Sequence, residues 1–485
     1  MANNHARSRG VDRRKFVQTV GAASVAAGLA GCSDDDSESD SEETIQIALE
    51  AQDEEFEEEY QEALWNAGLS EDIEIEILGT GLDDRDDQYR QWLNAGRAEP
   101  DILMMDVGWS IPFVERGQLL SLEDHLSSSA LDELENDYFE SSVQASVGSD
   151  GDRYGVPLFP DFGAMMYRKD LAEEAGYDPE GENWATEPMT WKRFSQISAE
   201  IMEENEEVEY GFTFPFDLSQ TITCCTFNEY MSQWGGAYFG GIENLYGPVG
   251  DRPITVTEEE PLRALRMIRT FIHGHEDEHS LDDEEYAGNI TPEGVFDWRY
   301  TGDLEAFLGG EAFAYRTWPT FLHDASDEDA FGEDMHDQVG LMPFPYAVSE
   351  GESSYDGIGG SMTSLGGWNL SINPNSEKID EAVEVLEAAM SDEFLLTRWD
   401  SVGTLPPKPD VMESQEAADD PVMGPYLDTL SYAGQTTIAR PVTPIYFDQA
   451  DAVAQEVFDV ATQEKTPEEG MADLEEALQS FEDEF

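Results

Sequence analysis

Thr44-Ile45-Gln46-Ile47-Ala48-Leu49, Ile73-Glu74-Ile75-Glu76-Ile77 and Asp101-Ile102-Leu103-Met104-Met105 decide the fold. The first two alternate apolar with polar residues, the period of a half-buried strand, and the third is a short apolar run. Between the first two, Phe56, Tyr60, Ala63 and Leu64 share one face of an acidic helix running to Ala67. Between the second and third, Tyr89 to Ala95 reads as a short helix. Strands alternating with helices predict a parallel sheet covered by helices, an α/β fold. Ligands of such sheets sit at the carboxyl ends of the strands. Here those ends hold Glu50 to Glu54, the loop 80–85 with Arg85, and Asp106-Val107-Gly108-Trp109.

Working outward, Tyr154-Gly155-Val156-Pro157-Leu158-Phe159-Pro160-Asp161 predicts a strand running into a turn. Met165-Met166-Tyr167 predicts the next strand, and a helix starts at Lys169. Helical spacing recurs in Leu262, Leu265, Ile268 and Ile272, in Ile379, Ala382, Val383, Leu386 and Met390, and in Met471, Leu474, Leu478 and Phe481.

The amino terminus carries an address. Arg13-Arg14-Lys15-Phe16-Val17 precedes a small-residue run from Thr19 to Ala30, and Leu29-Ala30-Gly31-Cys32 ends it. A twin arginine before a weakly apolar segment predicts twin-arginine export over residues 1–31. The run is too short to span ~30 Å of hydrocarbon. The final four residues resemble a lipoprotein cleavage box, which would lipidate Cys32. Residues 33–43 are only Ser, Asp and Glu, so 32–43 reads as a disordered acidic tether.

Charge is extreme, with 107 acidic against 25 basic residues and a net charge of −82. The acids are spread over the whole chain. Self-repulsion of this density opposes compaction, and molar salt screens it by shrinking the Debye length to ~3 Å. The expected setting is a halophile, and the signal pattern looks haloarchaeal. Nucleic acid is excluded as a partner, because phosphate binding needs clustered Lys and Arg. Besides Cys32, Cys224 and Cys225 are adjacent, and free buried thiols are expected there, with a strained vicinal disulfide as the minority reading.

No Walker loop, GxSxG, HExxH or paired-cysteine zinc pattern occurs. His273-Gly274-His275-Glu276-Asp277-Glu278-His279 has metal-ligand residue types, but it reads as an acidic solvated loop after a helix end. Carboxylates are too common for any pair to be nominated as a glycosidase couple. What stands out is Trp beside Gly or Pro, as in Trp318-Pro319 and Gly366-Gly367-Trp368. Such rings at strand ends suit the apolar faces of sugars.

Six motifs then carry a family resemblance. They are Gly117-Gln118-Leu119-Leu120-Ser121-Leu122; Tyr154-Gly155-Val156-Pro157 with Asp161 and Met166-Tyr167-Arg168-Lys169-Asp170-Leu171; Pro188-Met189-Thr190-Trp191; Gly310-Glu311-Ala312-Phe313 leading to Trp318-Pro319; Gly366-Gly367-Trp368; and Ala439-Arg440-Pro441-Val442-Thr443-Pro444-Ile445-Tyr446. In this order they resemble the substrate-binding proteins of ABC sugar importers, extracellular solute-binding family 1. The chain is similar in particular to archaeal and thermophile trehalose/maltose-binding proteins.

The resemblance implies a two-lobe periplasmic-binding-protein-like (type II) fold with a hinge and an interlobe ligand cleft. Lobe 1 would be 44–160 plus 343–393 and lobe 2 161–342 plus 394–485, with crossovers near Pro160, Pro343 and Phe394. Asp106 and Asp161 would bind sugar hydroxyls, Trp318 and Trp368 would stack on sugar rings, and Arg440 would donate a fork of hydrogen bonds. Glu50, Glu54, Arg85 and Trp109 are further ligand-binding candidates. Thr320 departs from the family, which carries Tyr after Trp-Pro. The implied ligand is a disaccharide or oligosaccharide, with no cofactor and no catalysis. The implied partners are ABC permease subunits, and the chain is expected to be a monomer anchored by lipid to the extracellular face of the membrane. A different solute, an exported carbohydrate-active hydrolase and a purely structural surface protein are the alternatives.

Overall fold

The computed structural model describes residues 43–81, 85–250, 252–327 and 329–485. The twin-arginine signal, Cys32 and the tether up to Glu42 lie outside them.

The three opening stretches form β1 (Glu43–Glu50), β2 (Ile73–Thr80) and β3 (Ile102–Asp106), all mutually parallel. The alternation in β1 and β2 buries Ile45, Ile47, Ile73, Ile75 and Ile77. β3 lies inside the sheet and is buried along its whole length. The sheet order is β2-β1-β3-β8-β4, where β4 is Val156–Phe162 and β8 is Thr363–Ile372. β9 (Thr437–Ala439) pairs in parallel with the start of β8. β8 runs antiparallel to both β3 and β4, so the sheet is mixed rather than wholly parallel. β8 enters it from a second sheet, not from a covering helix, and the direction imposed by a βαβ crossover does not apply.

The second sheet has the order β6-β5-β7 and is antiparallel, with β5 at Ala164–Arg168, β6 at Ala314–Thr317 and β7 at Val339–Met342. β4 does not end in a turn near Pro160. It continues to Phe162, and Gly163 alone separates it from β5. Two prolines are tolerated because β4 is an edge strand whose outward N–H positions need no partner. A register shift between Pro157 and Phe159 accommodates them. Opposite it, a Cβ on Gly366 would stand 2.5 Å from the Asp161 carbonyl oxygen, and Gly367 has φ +139° with the Phe159 carbonyl 2.8 Å from its would-be Cβ. The glycine pair therefore lets the two crossing strands meet and aims Trp368.

Three apolar cores result. The first packs the sheet strands against Tyr60 and Leu64 of the Glu57–Asn66 helix and Leu386 of the Ile379–Ala389 helix. The second centres on Trp191, whose ring lies 5.3–5.7 Å from those of Phe194, Phe212, Tyr230 and Phe271. The third gathers Met166, Phe307, Tyr315, Leu341 and Trp399. Helices join the cores. Asp392–Val402 places Phe394 in the first and Trp399 in the third. Tyr446–Ala461 places Tyr446 and Phe447 in the first and Val453 to Ala461 in the second.

Cys224 and Cys225 are joined in a vicinal disulfide rather than being free thiols. They sit in the widened π-helical turn Ile222–Thr226, which brings the adjacent sulfurs together. His273 Nε2 lies 2.7 Å from the Ala461 carbonyl oxygen, and His275 lies between the carbonyls of Leu281 and Tyr286.

Candidate functional site

β1, β3 and β4 point their carboxyl ends to the same edge of the first sheet, and these ends carry Glu50, Asp106 and Asp161. Trp368 is the register partner of Asp106 across β3 and β8, and Gly366 is that of Asp161. Arg440 follows β9, and Trp318 follows β6 of the second sheet. The candidates thus come from six strands and two sheets.

Asp106 and Arg440 are paired in a fork. Arg440 Nη1 lies 3.0 Å from Oδ1, and Nη2 donates to Oδ2 at 3.0 Å. The Gly108 N–H adds a 2.7 Å bond to Oδ1, and Arg440 Nη1 also reaches the Tyr446 hydroxyl at 3.4 Å. Both side chains are buried, so the fork spends hydrogen-bonding capacity that the sequence reading had assigned wholly to a ligand. Arg440 Nε, buried, has no partner within the protein.

Asp161 has no such fork. Burial pushes its carboxyl up to about 8; Arg316 pulls it down, Glu50 and Asp106 push it further up, and Arg440 pulls it down. At neutral pH Asp161 is mostly protonated, so it can donate as well as accept hydrogen bonds. Glu50 is also raised, first by burial and then by Asp53, against the opposing pull of Arg85 and Arg398. Asp53 holds the turn after β1 in place. It accepts from the Glu50 N–H at 3.1 Å, from the Tyr60 hydroxyl at 2.9 Å and from Arg398 Nη1 at 2.8 Å.

The aromatic candidates differ in what surrounds them. Trp368 is 7% exposed. Trp109 meets it edge-on with centroids 5.4 Å apart, and the Arg85 guanidinium lies over it at 4.7 Å. Arg85 is fully buried, donates Nη2 to the Thr80 carbonyl at 3.0 Å, and lies 4.0 Å from Glu50. Trp318 is only half-buried and has the Arg316 guanidinium over its ring at 3.9 Å. Glu54 stands apart, exposed, and accepts from the Gly79 N–H at 2.8 Å, where it supports β2.

Sequence reading missed Arg316, Glu229, Asp53 and Arg398. Arg316 carried one signal, because residues two apart on a strand share a face and Trp318 had already been singled out. Glu229 and Asp53 had none, being two acids among 107.

What this arrangement can do is bind a polar, ring-bearing solute; it offers carboxyl oxygens, guanidinium N–H groups and an aromatic face. The model of the family described as bacterial extracellular solute-binding protein matches residues 48–394. A probable ABC transporter-binding protein of Deinococcus radiodurans is 23% identical over 403 residues, covering 80% of this chain and 82% of that one. The structure of maltose-bound MalE3 of T. maritima superposes with a TM-score of 0.72 at 23% identity, covering 90% of this chain and 99% of the other. The GacH receptor of Streptomyces glaucescens, solved unliganded and with acarbose, gives a TM-score of 0.70 at 19% identity over 90% and 97%. Its α/β architecture of two sheets is that of the type II binding proteins, and the chain belongs to the bacterial extracellular solute-binding protein family.

Proposed function

We propose that this protein is the extracellular sugar-binding component of an ABC importer, which captures a disaccharide or oligosaccharide of the trehalose/maltose kind and delivers it to a membrane permease. The observation that carries the reading is that one edge of the first sheet holds Asp106, forked with Arg440, and Asp161, on which the Arg316 that lies against Trp318 acts. Sugars need this combination, because their hydroxyls hydrogen-bond while their C–H faces stack on rings. The neighbours solved with maltose and acarbose support a carbohydrate in particular.

In this reading lobe 1 is 44–160 plus 343–393 and lobe 2 is 161–342 plus 394–485, and hinge closure over the sugar creates the surface that the permease reads. No bond is made or broken. Cys32 is the lipid anchor, the 32–43 segment gives reach, and a chain that needs molar salt is exported already folded by the twin-arginine route. The protein works as a monomer.

The test is a thermal-shift panel of trehalose, maltose, maltotriose and longer maltodextrins in molar KCl, followed by calorimetry on the sugars that shift. A micromolar ligand, worth ~8 kcal/mol, is expected. If no sugar raises the melting temperature while another class of solute does, the carbohydrate reading fails. Release of free monosaccharide from these sugars by the pure protein would instead favour the hydrolase alternative.

A further inference from the structure

β6 carries Arg316, Trp318 follows its last residue, and the Arg316 guanidinium lies 3.9 Å over the Trp318 ring. The Arg316 side chain is wholly buried. Its Nε donates to Glu229 Oε2 at 3.1 Å and its Nη2 to Oε1 at 2.7 Å, a second forked pair. Its third nitrogen, Nη1, is buried and has no partner among the described residues. Glu229, on the Phe227–Gln233 helix, also accepts from the Ser364 N–H at 3.2 Å and the Thr363 hydroxyl at 3.4 Å. That hydroxyl in turn donates to the Gly163 carbonyl at 2.9 Å. The pair is therefore keyed to both strands that cross between the sheets. Gly163 is the notch that seats it, since a Cβ there would stand 2.6 Å from Arg316 Nη2 and 2.8 Å from Glu229 Oε1. Asp161 lies two residues earlier on the same run, and Arg316 is the charge that acts on it most strongly.

A buried ion pair is weak evidence for stability, because desolvation offsets its attraction. A buried N–H left without an acceptor adds a further penalty. The arrangement makes sense if something outside the protein completes it. We propose that Arg316 is a binding residue of the sugar site. Glu229 and the Trp318 ring hold its guanidinium so that Nη1 donates to one hydroxyl of a sugar while Asp161 bonds the neighbouring one. The recognised chemistry is a vicinal diol on the ring that stacks against Trp318. This assignment rests on the sugar-binding reading above. The bland alternative is an ion pair that only braces the crossing strands.

The experiment titrates maltose and trehalose into wild type, Arg316→Lys, Arg316→Gln and Glu229→Gln by calorimetry in molar KCl. Arg316→Lys keeps the charge but cannot donate in a fork and to a ligand at once. It is expected to weaken binding at least 10-fold while the melting temperature stays within a few degrees. The pH profile of affinity tests the Asp161 half of the assignment, while the affinities of Arg316→Lys and of the deoxy sugars separate a binding residue from a brace. Asp161 faces Glu50 from β1, Asp106 from β3, Arg316 from β6 and Arg440 after β9. Loss of the Arg316 charge in Arg316→Gln should move the midpoint of that profile to higher pH. If Arg316→Lys does not fold, monodeoxy maltoses on the wild type carry the test. Two adjacent positions should each lose at least 10-fold, and equal affinity across the series overturns the proposal. Wild-type affinity retained by Arg316→Lys overturns the Arg316 assignment alone. A wild type that binds no sugar overturns the functional reading and this assignment with it.

Discussion

Trp368 and Trp318 each lie against a buried guanidinium, yet the two pairs are built differently. Arg85 sits 4.7 Å over Trp368, donates to a backbone carbonyl, and has its nearest carboxylate, Glu50, 4.0 Å away. Trp109 closes the remaining edge, and the ring is almost fully covered. Arg316 sits closer to Trp318, at 3.9 Å, and is locked in a fork by Glu229, while the ring keeps part of its surface open. The difference teaches that the same residue types do two jobs. The Trp368 pair finishes the end of the first sheet. The Trp318 pair leaves its ring only half-buried, beside an arginine held by a carboxylate.

The largest expected effect is on the locked pair. Glu229→Ala strands the Arg316 charge in the interior and should cost about 3–5 kcal/mol, measured by urea unfolding in molar KCl. Trp368→Ala should cost a similar ~3–5 kcal/mol of stability, the usual loss for a buried Trp. Trp318→Ala should instead weaken sugar binding by about 2–4 kcal/mol, the range of an aromatic hot spot, with the smaller loss of stability. The two alanine variants can be scored side by side by unfolding and calorimetry; if each lost stability and affinity in the same proportion, the division of labour would collapse.

Asp161→Asn comes next. The folded Asp161 carboxyl titrates at about 8, above the ~3.9 of an unfolded chain. Between those values the folded state binds the extra proton, so wild-type stability falls as pH rises from ~4 towards 8. The Asn variant lacks that slope and should melt higher than wild type at pH 9, by the equivalent of about 1–3 kcal/mol. Parallel melting curves from pH 5 to pH 9 would sink this reading of Asp161. The smallest effects are expected at the first-sheet acids outside the forks. Glu50→Ala removes a long, partly solvated contact and should change stability by ~1 kcal/mol or less. Glu54→Ala removes one hydrogen bond to β2, again worth ~1 kcal/mol, and should leave sugar affinity unchanged.

Much of the fold was legible locally. The alternation in residues 44–49 and 73–77 became β1 and β2, and helical spacing became Glu259–His273, Ile379–Ala389 and Pro467–Glu484. The glycine pair before Trp368 was legible as a motif, though its cause, the approach of the β4 backbone, was not. The strand predicted over 154–161 became β4, but no turn follows it, because Gly163 alone leads into β5 of the second sheet. The mixed sheet was missed for a related reason, since strand direction depends on where β8 comes from. The pairing of Asp53 with Arg398, 345 residues later, left no local trace. Nor did that of Glu229 with Arg316, whereas the adjacency of Cys224 and Cys225 left their disulfide open as the minority reading.

The sequence by itself determined which segments form strands and helices, because periodicity is a property of neighbours in the chain. It also determined the acidic surface and the strand ends at which ligand groups gather. Only the tertiary structure decided which carboxylates are already held by arginines and how deeply each tryptophan is buried. Those outcomes depend on desolvation and on distances between residues far apart in the chain, and at ion-pair range a shift of an ångström separates a fork from a distant charge.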